Sequence, residues 1–446
     1  MSNIDEQAEA VGEDVAARTV LAGRQPSEPR DWSVASTTAL ILLTLVSTLN
    51  YFDRSVLSLV LPLIKKEFAV SDTTLGVVTG LIAIYAILGV PIAWLAERWS
   101  RRNIIAIGLA FWSAMTAATG FVGSIGQLGV TRFLMAVGES GGLAPSQSLL
   151  SDLFSKRRRP LVLSILTTAS SIAAIVYSPI AGWIAAHYGW RAVFLAAGAP
   201  GLVLAVVLLL TVREPKRLSA VAAGAQKMAP LGETLAFLFG SKAYVLCLLG
   251  TSVMGVYLYG VSAWDATLLV RVRHLTVPEI ATWFQPLRGL VSAIGIVLGG
   301  LLSSRLERLD ERWRCWIPGI ACIDLAPFQF IYLFGGSMPV WVTGYVVAAL
   351  FSIMHQGPIY ALYVSVAKTR MRAVSVSVAL LGATIVGQFG GPILIGWLND
   401  TMHAHFGEAA IRYSMLVVMA CALLGGLCFL AAGRYLIADT KRAAEA

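Results

Sequence analysis

Charge is scarce in this chain of 446 residues. Only 13% of its residues are Asp, Glu, Lys or Arg, whereas 57% are hydrophobic. A soluble globular protein of ordinary composition carries about 25% charged residues. The composition therefore excludes an ordinary soluble fold and predicts a membrane protein that crosses the bilayer several times.

Cysteines and enzyme motifs are also scarce. All five cysteines lie within apolar runs (Cys247, Cys315, Cys322, Cys421 and Cys428), so no disulfide framework is indicated. The chain has no phosphate-binding G-x-x-x-x-G-K-[ST] loop and no H-E-x-x-H zinc motif, which argues against ATP-driven pumping and metal catalysis. Residues 138–142 fit the nucleophile pattern G-x-S-x-G, but that pattern needs a strand-to-helix turn. We expect no enzyme activity, no metal and no cofactor.

The apolar runs are long enough to be membrane helices, which need about 20 residues each. Residues 1–35 are polar and acidic, lack the apolar core of a signal peptide, and are predicted to form a disordered cytoplasmic tail. A six-helix bundle is expected at 36–212, a cytoplasmic linker at 213–242, a second six-helix bundle at 243–437 and a cytoplasmic tail at 438–446. The twelve runs lie at 36–62, 73–96, 103–122, 127–150, 160–186, 191–212, 243–270, 281–303, 315–335, 339–366, 373–398 and 412–437.

The distribution of Lys and Arg predicts the orientation, because cytoplasmic loops are enriched in both. With both termini in the cytoplasm, the outer loops hold only Lys65, Lys66, Arg191, Arg271, Arg273 and Arg412 of the 34 basic residues. Basic clusters such as Arg98, Arg101 and Arg102 then lie inside. The net charge of +9 thus reflects topology, and no nucleic-acid partner is needed to explain it.

The two halves resemble each other. Residues 178–183 (SPIAGW) in the fifth run match residues 391–397 (GPILIGW) in the eleventh. The spacing of about 210 residues is typical of a transporter built from two parallel six-helix repeats.

Four charged residues interrupt the first and fourth runs. Asp53 lies about 14 Å from the outer end of its run, and Glu139 about 18 Å, at 1.5 Å per residue. Arg54 adjoins Asp53, and Arg132 lies on the same helix face as Glu139. Charges at this depth are costly and usually functional. We expect Asp53 and Glu139 to carry protons, with Arg54 and Arg132 as their partners or as ligands of a charged substrate; the alternative is a helix-packing ion pair.

Residues 89–102 (GVPIAWLAERWSRR) resemble the signature of the major facilitator superfamily between its second and third spans. Family members usually have Asp where this chain has Glu97. The resemblance implies an all-α membrane protein with twelve spans and a conformational gate formed by Gly89, Glu97, Arg98, Arg101 and Arg102. The alternative for these bases is a topology signal alone.

A narrower resemblance is to the Spinster-like branch of that superfamily. Residues 51–54 (YFDR), 132–139 (RFLMAVGE) and 148–154 (SLLSDLF) are similar to its segments. The neighbouring branch of organic-anion symporters has a similar Asp-Arg pair in the first span, so that branch stays open.

Several candidates in the second half have two interpretations. Asp265 and Arg288 could meet as an outer gate or as a structural pair, and Asp324 has no assigned role. Aromatic and polar residues could line a cavity or only pack, and the candidates are Tyr51, Trp264, His355, Gln356 and Tyr360. Residues 403–405 (HAH) are expected in an outer loop.

Together these features predict a secondary transporter that works by proton-coupled alternating access. Its partners are protons, the lipid bilayer and an organic, amphipathic or lipid-like small molecule; the alternative substrate is an organic anion bound by Arg54. A receptor or membrane enzyme would need a sensing domain or catalytic residues that the chain lacks. We expect a monomer in the bacterial inner membrane.

Overall fold

The computed structural model describes residues 32–214, apart from residue 156, and residues 230–445. All regular secondary structure in these ranges is helical. The predicted tail falls outside the described residues up to residue 31, and so do residues 215–229 of the predicted linker.

The N-half comprises the described helices up to residue 211. They are α1 (Val34–Phe68), α2 (Asp72–Gly80), α3 (Ile84–Arg98), α4 (Arg101–Thr119), α5 (Ile125–Glu139), α6 (Leu143–Leu153), α7 (Arg159–Thr167), α8 (Ala169–Ile172) and α9 (Ser178–Thr211). Serine side chains cap several of these helices, because a serine oxygen accepts an otherwise unpaired N–H in the first turn. Ser71 caps α2 in this way and Ser100 caps α4.

The linker contributes α10 (Leu231–Phe239), and the C-half follows. Its helices are α11 (Lys242–Arg273), α12 (Val277–Glu279), α13 (Gln285–Leu306), α14 (Trp313–Phe334), α15 (Met338–Ile353), α16 (Gln356–Ser365), α17 (Arg372–Gly382), α18 (Gly390–Phe406), α19 (Ala410–Ala432) and α20 (Leu436–Glu445). Short π-helical segments at Ala173–Tyr177, Ile280–Phe284 and Ala383–Phe389 join neighbouring helices.

Some boundaries differ from the predicted runs, for local reasons. The fourth run is broken after Glu139, where the sequence Ser-Gly-Gly has low helix propensity. The tenth run is broken at residues 354–355. The eleventh helix continues through polar residues to Phe406, so residues 403–405 are helical and not in a loop; Gly407, with φ 54°, ends it. Residues 438–445 of the predicted C-terminal tail are helical within α20.

Eight helical stretches of the described chain are long and apolar enough to cross a membrane. Two of them have 51 and 59 residues, far more than the ~20 residues of one crossing. Gly189, with φ 78°, interrupts the first of these long stretches and so divides α9 into two helices. Twelve spans and cytoplasmic termini stay predictions.

Buried apolar residues show that the halves meet at one end of the molecule. One cluster joins N-half residues such as Leu61 and Leu75 to C-half residues such as Trp264 and Ile395. A second cluster, which includes Leu43, Leu109 and Leu150, contains only N-half residues. We call the joined end the Asp72 end and the opposite end the Glu214 end, each after a residue that lies there.

Candidate functional site

The four charged residues predicted in the membrane lie together. Asp53 and Arg54 come from the middle of α1, and Arg132 and Glu139 from one face of α5. Glycines allow α5 to pack closely on α4: a Cβ on Gly138 would lie 2.9 Å from the Trp112 backbone nitrogen. We call Asp53, Arg54, Arg132 and Glu139 the central cluster.

Arg54 and Glu139 form the ion pair of the central cluster. The Arg54 Nε donates to Glu139 Oε2 at 3.0 Å, and the Arg54 guanidinium lies 3.9 Å from the centre of the Tyr85 ring. The Glu139 side chain is fully buried, whereas that of Arg54 is 23% exposed. Arg54 therefore offers the accessible charge of the pair.

Asp53 and Arg132 are buried and only partly hydrogen-bonded. Asp53 Oδ2 accepts from the Thr116 hydroxyl at 3.3 Å, while Oδ1 has no partner among the described residues. Arg132 donates to the Thr119 hydroxyl at 2.5 Å, while its Nε and Nη1 have none there. Buried polar groups are rarely unpaired in native structures, so these atoms need a partner from water, an ion or another conformation.

The central cluster has more charged groups than ion pairs. It has two carboxylates and two guanidinium groups, but only one direct ion pair joins them, and Glu139 Oε1 is also unpaired within the described chain. A small shift of α1 against α5 would change which acid is neutralised by an arginine. An acid that loses its arginine in a dry site favours the protonated form. Proton uptake and release by the central cluster stays a prediction.

A second set of contacts joins the halves at the Asp72 end. The Arg271 guanidinium donates to both oxygens of Asp72, at 2.6 and 2.8 Å, and Asn399 donates to Asp72 Oδ2 at 2.9 Å. The Asp400 carboxylate accepts from the N–H groups of Asp72 and Thr73, at 2.9 and 2.8 Å. Asp400 thus binds the positive end of the α2 dipole from the other half. We call these contacts the Asp72 latch.

Glycines bring the two halves into backbone contact beside the latch. A Cβ on Gly76 would lie 2.5 Å from the Pro392 carbonyl oxygen, and one on Gly396 would lie 2.4 Å from that of Asp72. At a second contact between the halves, a Cβ on Gly182 of the N-half would lie 2.4 Å from the Ala281 Cβ of the C-half. Larger side chains at these positions are incompatible with this closure.

The predicted gate residues lie at the Glu214 end. Arg101 is buried and donates to Asp152 at 2.6 Å and to Glu214 at 2.9 Å, and the Arg102 N–H donates to Glu214 at 2.9 Å. Partial burial would raise the pKa of Glu214, but the hydrogen bonds from Arg102 and Arg101 outweigh it and hold this pKa below its ordinary value. Asp152 belongs to the N-half and Glu214 directly follows its last helix, so these contacts do not reach the C-half.

The other gate candidates have fewer described contacts. Gly89 has open space where a Cβ would lie, Arg98 is exposed, and the side chain of Glu97 lies outside the described parts. Their role as a gate stays a prediction.

Asp265 and Arg288 do meet, inside the C-half. Arg288 donates to Asp265 at 2.7 Å, and the Tyr332 hydroxyl donates to the other Asp265 oxygen at 2.6 Å. Both partners belong to the same half, so this pair does not join the halves. The geometry favours the structural interpretation over an outer gate.

The cavity candidates divide into two groups. His355, Gln356 and Tyr360 line one chamber of the C-half, and Tyr51 is 36% exposed on the facing N-half. Trp264 is fully buried and donates to the Pro392 carbonyl at 3.0 Å, so it packs between helices. Asp324 is exposed on α14, and none of the ion pairs among the described residues includes it.

The sequence did not predict the residues of the Asp72 latch, nor the contacts of Arg101 with Asp152 and Glu214. Asp72 follows the capping Ser71, so it reads as an ordinary helix start, and Asp400 reads as the end of a span. The Asp72 N–H and the Asp400 carboxylate that accepts from it are more than 300 positions apart in the chain, so no local sequence pattern indicates this contact.

The profile of the Major Facilitator Superfamily matches residues 43–392. The chain belongs to the major facilitator superfamily. It is therefore a multi-pass membrane transporter and not an enzyme.

Relatives of this major facilitator protein include a Mycolicibacterium smegmatis protein described as an MFS-type efflux pump. It is 28% identical over 401 residues, which cover 89% of this chain and 92% of that protein. Human protein spinster homolog 1 is 27% identical over 443 residues, covering 91% and 82% of the two chains. The predicted resemblance to Spinster proteins is confirmed.

A solved structure shows the same fold. It is a bacterial homolog of the human lysosomal transporter Spinster, in an inward-facing and unoccupied conformation. The TM-score is 0.81 at 24% identity, and the match covers 91% of this chain and 98% of that one. The prediction of an all-helical major facilitator fold is confirmed.

Proposed function

We propose that this protein moves an organic, amphipathic or lipid-like small molecule across the cytoplasmic membrane by proton-coupled alternating access. The observation that carries the proposal is an asymmetry. The halves are held together at the Asp72 end, while the second apolar cluster, toward the Glu214 end, belongs to the N-half alone. A transporter that opens to one side at a time has this form.

The direction of opening follows from the predicted orientation. Basic residues concentrate near the Glu214 end, which supports a cytoplasmic location for that end under the positive-inside rule. In this orientation the latch closes the outer side and the substrate path opens inward. We propose twelve spans, both termini in the cytoplasm and a monomeric protein.

Coupling is proposed to use the central cluster. Asp53 and Glu139 carry the protons, and Arg54 and Arg132 neutralise whichever acid is ionised. Glu139 is paired with Arg54 here, while Asp53 lacks a direct ion pair to any described residue. A shift of α1 against α5 during the change of access state would reverse this preference, so that Glu139 becomes protonated and Asp53 ionised.

A second candidate function is proton-linked uptake of an organic anion. The partial exposure of Arg54 favours it, because its guanidinium can bind a carboxylate at two points. Accumulation of labelled carboxylates in proteoliposomes under an inward proton gradient would support this function. Extrusion of labelled amphiphiles would support the first.

The test of coupling is Glu139→Gln, which keeps the size of the side chain and its hydrogen bonding. Purified protein in liposomes should lose proton-driven accumulation, while exchange of substrate down its own gradient persists. Exposed Glu311 at the Glu214 end provides the matched control, Glu311→Gln, which should behave as wild type. Normal accumulation by Glu139→Gln under a pH gradient would make Glu139 a structural residue.

A further inference from the structure

Two arginines of the C-half meet at the Asp72 end, outside both the central cluster and the latch. Arg273 is the last residue of α11, and Arg412 lies in the first turn of α19. Arg412 is close enough to Arg273 for the two positive charges to repel each other. Both side chains are half-buried, so water screens this repulsion only in part. We call this pair the arginine corner.

The end of α14 holds the arginine corner in place. Arg273 donates to the Gly335 carbonyl oxygen at 2.8 Å and to two further carbonyl oxygens in the last turn of α14. Next to Arg412 in the chain, the centre of the Tyr413 ring lies 5.6 Å from that of Phe334. The carbonyls of this turn carry the negative end of the α14 dipole, which stabilises one nearby cation. They bind only Arg273, so the charge of Arg412 is left over.

Several donors of the arginine corner have no partner. The Nε atoms of Arg273 and Arg412 are buried and unpaired within the described chain, and none of the ion pairs of the described residues includes Arg412. The acids nearest to them in sequence have other partners. Glu408 pairs with Arg271 at 3.2 Å, and Glu279 accepts within its own capping box. Buried donors beside repelling cations favour an anion from outside the chain.

The first turn of α15 adds to the positive potential of the arginine corner. This helix begins at Met338, and no side chain caps it. It adjoins the corner, because the Arg273 guanidinium lies 5.0 Å from the centre of the Trp341 ring. The N–H groups at the start of a helix attract anions. Donors from three helices, α11, α15 and α19, therefore surround one position.

The position of the arginine corner indicates a membrane surface. The turn between α14 and α15 joins two stretches that are long and apolar enough to cross a membrane. Large apolar side chains are exposed on both helices beside this turn, namely Phe330, Met338 and Val340. In a membrane protein such side chains face lipid tails, so the corner lies at the level of the head groups. Basic pockets between membrane helices bind lipid head groups at this level.

We propose that the arginine corner binds a phosphate group, with Arg412 as its main ligand. A carboxylate has two oxygens in one plane, which a single guanidinium can satisfy. A phosphate has oxygens in several directions, which suits donors that come from three helices. The phosphate belongs either to an acidic lipid of the adjoining leaflet or to free inorganic phosphate. This inference is independent of the proposed transport function.

The experiment distinguishes the two sources of phosphate. The melting temperature of the full-length protein in detergent is measured with phosphatidylglycerol against phosphatidylcholine of the same chains, and with inorganic phosphate against chloride at equal ionic strength. A preference for phosphatidylglycerol identifies a lipid phosphate, and a preference for inorganic phosphate identifies the free ion. We expect wild type to bind at least one of these probes about tenfold more tightly than its reference, as charge-assisted hydrogen bonds would give.

Substitutions then locate the preference. Arg412→Gln should abolish it, whereas Arg412→Lys should keep part of it, because the charge stays but the fork of donors is lost. Lys66→Gln is the matched control, since Lys66 is an exposed cation at the same end of the molecule, and it should keep the wild-type preference. The melting temperature without any probe shows that each variant folds.

Three results would overturn the proposal. The first is that wild type shows neither preference. The second is that Arg412→Gln retains the wild-type preference. The third is that Lys66→Gln loses as much of it as Arg412→Gln, because the effect would then come from the general charge of this end and not from the arginine corner.

Discussion

Replacing Asp72 by Asn should open the end of the molecule that the latch closes. The amide would keep the shape of the side chain and its contact with Asn399, but it would lose the charge that Arg271 binds at two points. The Asp72 side chain is 2% exposed and that of Arg271 is 11% exposed, so water screens the pair weakly. Charge-assisted hydrogen bonds of this kind contribute about 1.5–3 kcal/mol.

The loss of interaction free energy is smaller than for a fully buried ion pair, for which removing one partner costs about 3–5 kcal/mol. Arg271 retains Glu408 at 3.2 Å, so its charge is not left unpaired. A net loss of about 2–3 kcal/mol would change the ratio of the closed to the open state by about 30- to 150-fold.

The measurement is the distance between spin labels on the two halves at the Asp72 end. Lys66 and His405 are exposed there, one on each half, and can be replaced by labelled cysteines once the five native cysteines are removed. Double electron–electron resonance spectroscopy on the protein in nanodiscs should show a new population of longer distances in Asp72→Asn. The wild-type distribution should show mainly the short distance.

Glu408→Gln is the control, because Glu408 also pairs with Arg271 but belongs to the same half. Its side chain is 63% exposed, and removing its charge should leave the distances unchanged. The reasoning fails if Asp72→Asn keeps the wild-type distances, or if Glu408→Gln opens the protein equally.

Two further predictions concern the glycine contact between the halves and the pH dependence of stability. Gly76→Ala places a Cβ 2.5 Å from the Pro392 carbonyl oxygen, so it should lengthen the same spin-label distances, whereas Gly390→Ala, which meets no atom within 4 Å, should not. Glu214 has a lowered pKa, so its stabilisation is complete above its unfolded pKa of about 4.3 and is lost as pH falls through the lower folded value. The melting temperature of wild type should therefore fall more than that of Glu214→Gln on acidification, and parallel pH profiles would contradict this assignment.

The sequence by itself determined the class of protein, the helical architecture and the residues of the central cluster. The cost of burying charge in lipid is high, so Asp53, Arg54, Arg132 and Glu139 could be singled out from hydropathy alone. Helix spacing then placed Arg132 and Glu139 on one face. The gate signature was also a local pattern, which made the family recognisable.

Only the tertiary structure decided which charges pair and where the halves meet. Arg54, and not Arg132, binds Glu139, because the packing of α1, α4 and α5 sets these distances. The latch depends on Asp72, Arg271 and Asp400, which come from separate helices and look locally like helix ends. Hydropathy records the cost of a charge but not the position of its partner, so the closed end became apparent only once the chain was folded.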